Sequence, residues 1–360
     1  MATTETRPEA APGSKEARRR YYDDIAPLNL APLWESFARL ITPSPASPAE
    51  ACLWRYDEVR PWLLKAGELI SAKEAERRVL VLENPGLPGR ASVTHSLYAG
   101  LQLILPGEVA PSHRHAQSAL RFIMEGEGAY TAVEGERAYM SRGDLILTPS
   151  WTWHDHGNDG DGPTIWLDGL DIPLVQLLDA SFLARYPADR QPVARPCGAS
   201  AARFGRNMRP FGYLAAGPAS PVFSYPYAEW REALEVMRRE ADWDACHGIK
   251  MEFINPLDGG PVMPTISAFV QLLPKGFATD AYRSTDGTVY SVVDGAGEAV
   301  IGDEAFDLEP RDVFVVPSWT PVRFAARDDL ALFSFSDRGV QMKLGLWREQ
   351  RGHAPGAGEA

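Results

Sequence analysis

The sequence predicts a mainly β protein made of two antiparallel barrels in tandem, and three observations support this class. Short apolar segments bounded by glycine, proline or asparagine follow one another from residue 79 to residue 170, at the spacing of strands and hairpin turns. The turn residues of this region recur about 168 or 169 residues further along the chain. Two clusters of histidines lie beside such turns, as expected for a site inside a barrel.

The composition is that of a globular protein with a substantial core. The chain has 360 residues, 45% of them hydrophobic, which predicts two or three domains. Its 48 acidic and 36 basic residues give a formal net charge of −12, which disfavours binding to nucleic acid or anionic membrane. The 3 cysteines are far apart and suggest no disulfide framework. With no signal-peptide core or long apolar run in the sequence, we expect a soluble protein of the reducing cytoplasm.

The first 77 residues predict a tail followed by a helical arm. Residues 1 to about 20 have no apolar period, and we expect them to be a mobile tail. From Leu33 to Glu76, aromatic and aliphatic residues recur at helical spacing, and Ser71-x-x-Glu74 has the form of a capping box. We therefore expect helices before the first barrel, with their aromatic residues in a core.

The rest of the chain divides into two barrels and a connection. The first barrel is predicted over residues 78–178, with strands at 79–82, 98–105, 120–124, 129–133, 144–147 and 164–170. Residues 179–248 are expected to form a connection with a helix at 227–241, which could also supply a subunit contact. The second barrel is expected at 249–345 and a tail at 346–360.

Three of the 7 histidines have the spacing of a metal site. His113 and His115 are two residues apart, so on a strand both side chains point to the same face, about 7 Å from each other. His154 on a paired strand would complete a set of three imidazoles. Neutral imidazole binds iron, zinc, copper or nickel, and three such ligands leave positions open for substrate and oxygen. The competing interpretation is that these histidines are surface polar residues. Matching glycines and prolines beside both clusters make that interpretation less consistent with the sequence.

These residues resemble the two sequence motifs of the cupin family. The stretches that carry the resemblance are Gly107-x5-His113-x-His115-x3-Ala119-x6-Gly126 and Gly143-x5-Pro149-x-Trp151-x2-His154-x3-Asn158. Two residues depart from the usual cupin pattern. Ala119 stands where a glutamate ligand is usual, and Trp151 stands where a glycine is usual. With the internal repeat, the resemblance implies a bicupin of two jelly-roll barrels.

The longer segments 113–122 and 149–158 resemble the gentisate 1,2-dioxygenase family, which includes salicylate and 1-hydroxy-2-naphthoate dioxygenases. In that family the glutamate is normally missing, so Ala119 fits. The resemblance implies one Fe(II) bound by His113, His115 and His154. It further implies cleavage of gentisate by dioxygen between the carboxyl- and hydroxyl-bearing carbons to give maleylpyruvate, in aromatic catabolism. The family is typically a homotetramer, which we also expect here.

The same resemblance assigns residues to the substrate. Gln102 and Arg121 match positions that bind substrate in the family, and a buried arginine is costly unless a partner such as a carboxylate pairs with it. His156 shares a strand face with His154 and is expected to hydrogen-bond substrate or oxygen. Asp168 is expected to orient a histidine without itself binding the metal.

Tyr98 and Arg77 are two further matches to substrate-binding positions of the family. For each, simple packing or a surface ion pair is the competing interpretation. Tyr98 also bears on the choice of substrate. The salicylate-cleaving member has a tryptophan at this position, so tyrosine favours gentisate.

The second half of the chain keeps the turns and loses the candidate ligands. Aligned on its turn residues, His113, His115 and His154 correspond to Tyr282, Ser284 and Val322. The other pairs are Gln102 with Val270, Arg121 with Tyr290, and His156 with Phe324. We therefore expect a second barrel without metal, which serves packing or assembly.

Other functions remain open at this point. Salicylate or 1-hydroxy-2-naphthoate cleavage would share the iron site with gentisate cleavage. From other classes, the chain could be a cupin that only binds an aromatic acid, or a metal-dependent isomerase. The complete histidine set argues against a purely binding role, and Ala119 argues against the usual isomerase cupin.

Overall fold

The structure is a computed structural model that describes residues 13–215 and 217–352. The chain divides into two compact units, Met1–Ala46 and Ser47–Ala360. Most of the predicted N-terminal tail, residues 1–12, and the last part of the predicted C-terminal tail, residues 353–360, lie outside the described residues. Within the described part of the chain, each helix is too short or too polar to cross a membrane.

The first unit is helical in its described residues. It contains α1 (Lys15–Ile25), a 3-10 helix (Ala26–Leu28) and α2 (Leu33–Leu40). The side chain of Ser14 caps α1 by accepting a hydrogen bond from the Ala17 N–H at 3.1 Å. Arg20 pairs with Glu16 one turn earlier at 2.7 Å. The expectation of a tail up to about residue 20 is therefore wrong from Lys15 onward, because a cap and an ion pair stabilise this helix without an apolar period.

The second unit holds all the strands of the described residues. Those of the first half are β1 (Cys52–Trp54), β2 (Val79–Val81), β3 (Tyr98–Ile104), β4 (Val109–His115), β5 (Ala119–Glu125), β6 (Glu127–Val133), β7 (Glu136–Ser141), β8 (Leu145–Thr148), β9 (His154–Asn158), β10 (Thr164–Leu170), β11 (Leu183–Arg185) and β12 (Ser224–Tyr225). Those of the second half are β13 (Ile249–Phe253), β14 (Ser267–Leu273), β15 (Tyr282–Ser284), β16 (Thr288–Asp294), β17 (Gly297–Ile301), β18 (Glu304–Leu308), β19 (Val313–Val316), β20 (Val322–Ala326), β21 (Leu330–Ser336) and β22 (Glu349–Arg351). The helices are α3 (Tyr56–Leu69), α4 (Ala72–Ala75), α5 (Ile172–Leu177), α6 (Ala199–Phe204), α7 (Tyr227–Arg238) and α8 (Arg338–Lys343).

Each barrel consists of a six-stranded and a five-stranded antiparallel sheet. The first barrel has the strand orders β12-β8-β5-β10-β3-β2 and β11-β4-β9-β6-β7. The second has β1-β19-β16-β21-β14-β13 and β18-β17-β20-β15-β22. The larger sheets pack against each other through the main core, where the rings of Phe122 and Phe333 stack at 4.1 Å. The prediction of two tandem antiparallel barrels is confirmed.

Two short strands cross from one barrel to the other. β1 precedes the first barrel but pairs with β19 of the second, and β12 precedes the second barrel but pairs with β8 of the first. The helix after each strand is anchored in the same way, because Asp312 accepts a hydrogen bond from the Tyr56 N–H and Asp144 from the Tyr227 N–H. The predicted arm and connection are therefore equivalent parts of the repeat, and each ties one barrel to the other.

The repeat also extends past the end of each barrel. β11 pairs with β4, and β22 pairs with β15 in the same antiparallel manner. Residues 349–351, which we expected in a C-terminal tail, thus complete the smaller sheet of the second barrel. The sequence did not predict this strand, because three residues are too few to show a strand pattern.

The strand register corrects one correspondence between the halves. Gln102 lies opposite Trp166, and Gln271 lies opposite Leu332 at the equivalent place in the second barrel. Gln102 therefore corresponds to Gln271 and not to Val270. The turn after the strand has the same length in both halves, but its proline lies one position earlier in the second half, so alignment on Pro106 and Pro274 shifted the strand by one position.

Candidate active site

The three predicted histidines converge on neighbouring strands of the first barrel. His113 and His115 lie on β4, and His154 lies opposite His113 on β9. Their ring centroids are 4.6 to 5.2 Å apart. One candidate ligand atom from each lies within 4.8 Å of the others, and among the described residues this is the group of three that fits a metal ion.

Hydrogen bonds orient two of these rings. The Nδ1 atoms of His115 and His154 lie 2.9 and 3.0 Å from the backbone carbonyls of Gln117 and Thr152. A carbonyl can only accept, so Nδ1 carries the proton and Nε2 has a free lone pair. In the described residues, the buried Nε2 of His154 has no hydrogen-bond partner. An unpartnered lone pair of this kind fits a metal ligand.

Burial keeps the three imidazoles neutral. It lowers the pKa of His115 to about 4 and that of His154 well below its usual value, with the nearby charge of Arg121 acting in the same direction. The pKa of His113 is lowered to about 2, first by burial and then by the charge of Arg77. Neutral imidazole is the form that binds a metal, so the site needs no proton loss near neutral pH.

Arg121 and Asp168 form a buried ion pair beside the histidines. They lie directly opposite each other on β5 and β10, and Arg121 Nε is 3.5 Å from Asp168 Oδ1. Arg121 also donates to Thr148 Oγ1 at 2.9 Å, and the Trp166 indole donates to Asp168 at 3.0 Å. Asp168 was expected to orient a histidine. It orients the arginine instead, because the strand register places the two side chains side by side.

The charges of this pair are partly unsatisfied. Burial raises the pKa of Asp168 to about 6, while the Arg121 guanidinium acts in the opposite direction. Arg121 is 4% exposed and its Nε has no hydrogen-bond partner in the described residues. A buried guanidinium whose donors are not all used is suited to a bound carboxylate.

His156 and Gln102 line the deeper part of the same barrel. His156 is fully buried, 5.8 Å from the His154 ring, and its Nδ1 is 2.9 Å from Thr131 Oγ1. Its Nε2 has no partner in the described residues. His156 is not part of the group of three that fits a metal, and its hydrogen bond to substrate or oxygen stays a prediction. Gln102 is buried on β3, opposite Trp166.

Arg77 and Tyr98 lie at the edge of the site. The Arg77 guanidinium donates to the carbonyl of Pro111 at 3.1 Å and lies 3.3 Å from His113 Nε2. His113 Nε2 would give up this contact if it held a metal. A Cβ on Gly100 would lie 2.8 Å from the Tyr98 hydroxyl, so glycine at this position leaves room for the phenol. Burial raises the pKa of Tyr98, which keeps the phenol protonated.

Sequence reasoning missed the three residues that support these groups. Thr131, Thr148 and Trp166 hold His156, Arg121 and Asp168 in place. Strand alternation could have indicated Trp166, which is two residues from Asp168 and shares its face. No comparable signal marks the threonines, since β-branched residues are common on any strand.

A cupin domain model matches residues 100–170, which contain all three histidines. The fold and the site thus define a bicupin whose first barrel holds a group of three histidines that fits a metal ion. The chain is 55% identical over 340 residues to gentisate 1,2 dioxygenase 1 of Aquipseudomonas alcaligenes, covering 94% of this chain and 98% of the relative. The chain belongs to the gentisate 1,2-dioxygenase family of ring-cleaving dioxygenases.

Two further relatives agree with this assignment. The 5-aminosalicylate 1,2-dioxygenase of a Comamonas species is 39% identical over 341 residues, which cover 93% of this chain and 90% of the relative. The crystal structure of salicylate 1,2-dioxygenase from Pseudoaminobacter salicylatoxidans with gentisate is similar with a TM-score of 0.88 at 35% identity, covering 98% of both chains. The family and the bicupin fold expected from the sequence are both confirmed.

Proposed function

We propose that this protein cleaves the ring of gentisate with dioxygen, with Fe(II) bound by His113, His115 and His154. The observation that carries the proposal is the convergence of three neutral imidazoles beside a buried arginine. The relative that is 55% identical and named as a gentisate dioxygenase supports the choice of substrate. Ferrous iron supplies open coordination positions and one-electron chemistry for dioxygen.

The proposed role of Arg121 is to bind the substrate carboxylate. Its side chain is fixed by Thr148 and Asp168, so little rotamer freedom is lost when the substrate binds. Asp168 balances the guanidinium charge when the site is empty. With substrate present, the carboxylate pairs with donors that Asp168 leaves free, and the acid group is held in one orientation.

We assign the remaining polar residues to the ring substituents and to oxygen. His156 presents Nε2 to the barrel interior, since Thr131 occupies its Nδ1. Gln102 offers an amide from β3 of the larger sheet. Tyr98 and Arg77 lie at the edge of the site, where we assign them contacts with the substrate ring and its acid group. These four residues hold the ring without transferring electrons to it.

The choice of gentisate over related acids rests on the ring itself. Gentisate, salicylate and 1-hydroxy-2-naphthoate share a carboxyl group with a hydroxyl beside it. Only gentisate has the para-related 5-hydroxyl, which raises the electron density of the ring and favours its oxidation. The proposed product is maleylpyruvate. We place this reaction in the catabolism of aromatic acids in the cytoplasm.

Parallel assays on the three acids test this proposal. Protein supplied with ferrous iron under air should consume oxygen and form the maleylpyruvate chromophore fastest with gentisate. Faster cleavage of salicylate or 1-hydroxy-2-naphthoate would replace gentisate as the substrate. No oxygen uptake with any of the three acids would favour the alternative of a cupin that only binds an aromatic acid.

We further propose a homotetramer, the assembly expected from the family. Exposed apolar side chains at the end of α5, in the segment after it and at the start of β11 support this proposal, since they lie within seven residues of the chain. The residues are Leu177, Leu178, Phe182 and Leu183, each more than half exposed. Sedimentation should give a mass of four chains, and a mass near the 39.6 kDa of one chain would contradict it.

A further inference from the structure

The second barrel contains a buried amide that lacks half of its hydrogen bonds. Gln271, the counterpart of Gln102, is 1% exposed. Its Nε2 donates to the His247 carbonyl at 2.8 Å, which fixes the orientation of the amide. The other end, Oε1, is buried and has no donor within the described residues. An unpaired buried acceptor is costly, so a group that donates to it would be bound favourably.

A lysine lies next to this amide. Lys250 on β13 is directly opposite Gln271 on β14, so the two side chains share one face of the sheet. Its ammonium lies 4.8 Å from the centroid of the Phe269 ring and has no hydrogen-bond acceptor in the described residues. Burial lowers the pKa of Lys250 to about 8. A desolvated cation without an acceptor favours a bound anion.

A second cation faces the same ring. The Arg338 guanidinium is 5.9 Å from the Phe269 centroid, and its Nε is buried without a partner in the described residues. The nearest acids have donors of their own. Asp286 accepts from the Trp347 indole at 2.9 Å, and Asp337 accepts from the Gly287 N–H at 3.0 Å. Neither Lys250 nor Arg338 has a carboxylate within ion-pair distance in the described residues, and Arg338 also stacks on the Trp347 ring at 4.1 Å.

A third polar group lies on the same face of the sheet. Ser267 lies on the same face of β14 as Phe269 and Gln271, and its hydroxyl is buried without a partner in the described residues. The place of the metal site is closed to a metal, because Tyr282, Ser284 and Val322 replace the three histidines. This face of the second barrel thus offers a cation, an acceptor and a ring, and the described residues hold no group of three metal ligands there.

We propose that the second barrel binds a small hydroxy acid without a metal. Lys250 pairs with the carboxylate, and the ligand hydroxyl donates to Gln271 Oε1. Phe269 packs against the hydrocarbon part of the ligand. An inorganic anion would satisfy the lysine but has no donor for the amide, which is why an acid with a hydroxyl group fits better. The site is separate from the proposed catalytic site and binds without turnover.

Equilibrium dialysis of labelled salicylate with the iron-loaded protein, in the absence of oxygen, tests this inference. We expect two binding sites per chain in the natural protein. Lys250→Met, which keeps the volume and removes the charge, should leave one site or weaken one by at least tenfold. The matched control is Lys275→Met, at an exposed lysine paired with Asp328, and it should keep both sites.

Three further measurements distinguish this site from the first barrel and control for misfolded variants. Arg121→Met should leave the site that Lys250→Met removes, and Gln271→Met gives a second test if Lys250→Met fails to fold. Benzoate, which lacks the hydroxyl, should bind the second site less tightly than salicylate. A single site that depends on Lys250 would support this inference and contradict substrate binding by the first barrel. A single site that depends on Arg121, or two sites unchanged in both Lys250→Met and Gln271→Met, would overturn it.

Discussion

The two barrels of this protein have the same backbone plan and different interiors. In the first, three imidazoles, Arg121 and Asp168 occupy the space between the sheets. In the second, Tyr290 stands in the place of Arg121 and stacks on Phe314 at 4.9 Å, with Phe324 packed beside them. One interior is polar and suited to a metal, and the other is largely filled by rings. The comparison shows that the barrel fold does not depend on the residues that would bind the metal.

The shared residues lie where the backbone needs them. Gly126 has φ +94°, and a Cβ there would lie 2.5 Å from the Pro163 carbonyl oxygen. Gly295 holds the equivalent turn, also with positive φ. Trp151 and Trp319 both have φ 62°, a backbone conformation that glycine adopts without strain. The Trp151 N–H donates to the His115 carbonyl on β4, and the Trp319 N–H donates to the Ser284 carbonyl on β15. Turn geometry is thus preserved in both halves, while the interior side chains diverge.

The largest effect is expected from removing a histidine of the first barrel. His115→Ala should abolish turnover of gentisate, because two imidazoles hold the metal poorly and leave a gap in its coordination. Tyr282→Phe, the matched change at a histidine-equivalent position of the second barrel, should keep turnover near that of the natural protein. Oxygen uptake measures both variants. Full activity of His115→Ala would remove this residue from the ligand set.

A smaller loss is expected for the buried arginine. Arg121→Ala should lower kcat/KM for gentisate by at least about tenfold, since charge-assisted hydrogen bonds contribute about 1.5–3 kcal/mol. Tyr290→Phe at the equivalent position of the second barrel should have little effect on kcat/KM. Steady-state kinetics on both variants makes the comparison. Equal kcat/KM for Arg121→Ala and the natural protein would contradict the proposed carboxylate contact.

The smallest effects concern the symmetric anchors between the barrels. Asp312→Ala removes the acceptor of the Tyr56 N–H, and Asp144→Ala that of the Tyr227 N–H. Each change should lower the free energy of unfolding by about 1–3 kcal/mol, because the helix N–H and a second backbone N–H, of Glu309 or Ser141, lose their acceptor. Denaturant unfolding monitored by tryptophan fluorescence gives these values. A loss in one variant only would show that the two crossings are not equivalent.

The sequence predicts the barrels well because their strands are local patterns. The prediction for β3 ended at residue 105 and the strand ends at Ile104; that for β10 matches Thr164–Leu170. The short strands β1 and β12 have three and two residues. β1 pairs with β19 of the second barrel, and β12 pairs with β8 of the first. A local pattern of that length cannot show a partner so far along the chain.

The candidate site was likewise predictable where it depends on local spacing, and not where it depends on strand register. The metal group follows from the spacing of His113, His115 and His154, and it converges as the alternation of side chains requires. The partner of Asp168 did not follow, because it depends on the register between β5 and β10. The match between Gln102 and Gln271 was missed because the proline of the following turn lies one position earlier in the second half, which moved the alignment by one position.

The central claim is that only the first barrel holds a metal, and metal content per chain tests it most directly. Protein loaded with Fe(II) and freed of unbound metal should contain one iron per chain. His154→Ala should contain almost none, because it removes one of three ligands, whose buried Nε2 has no hydrogen-bond partner in the described residues. Two irons per chain in the natural protein, or one iron retained by His154→Ala, would contradict the account.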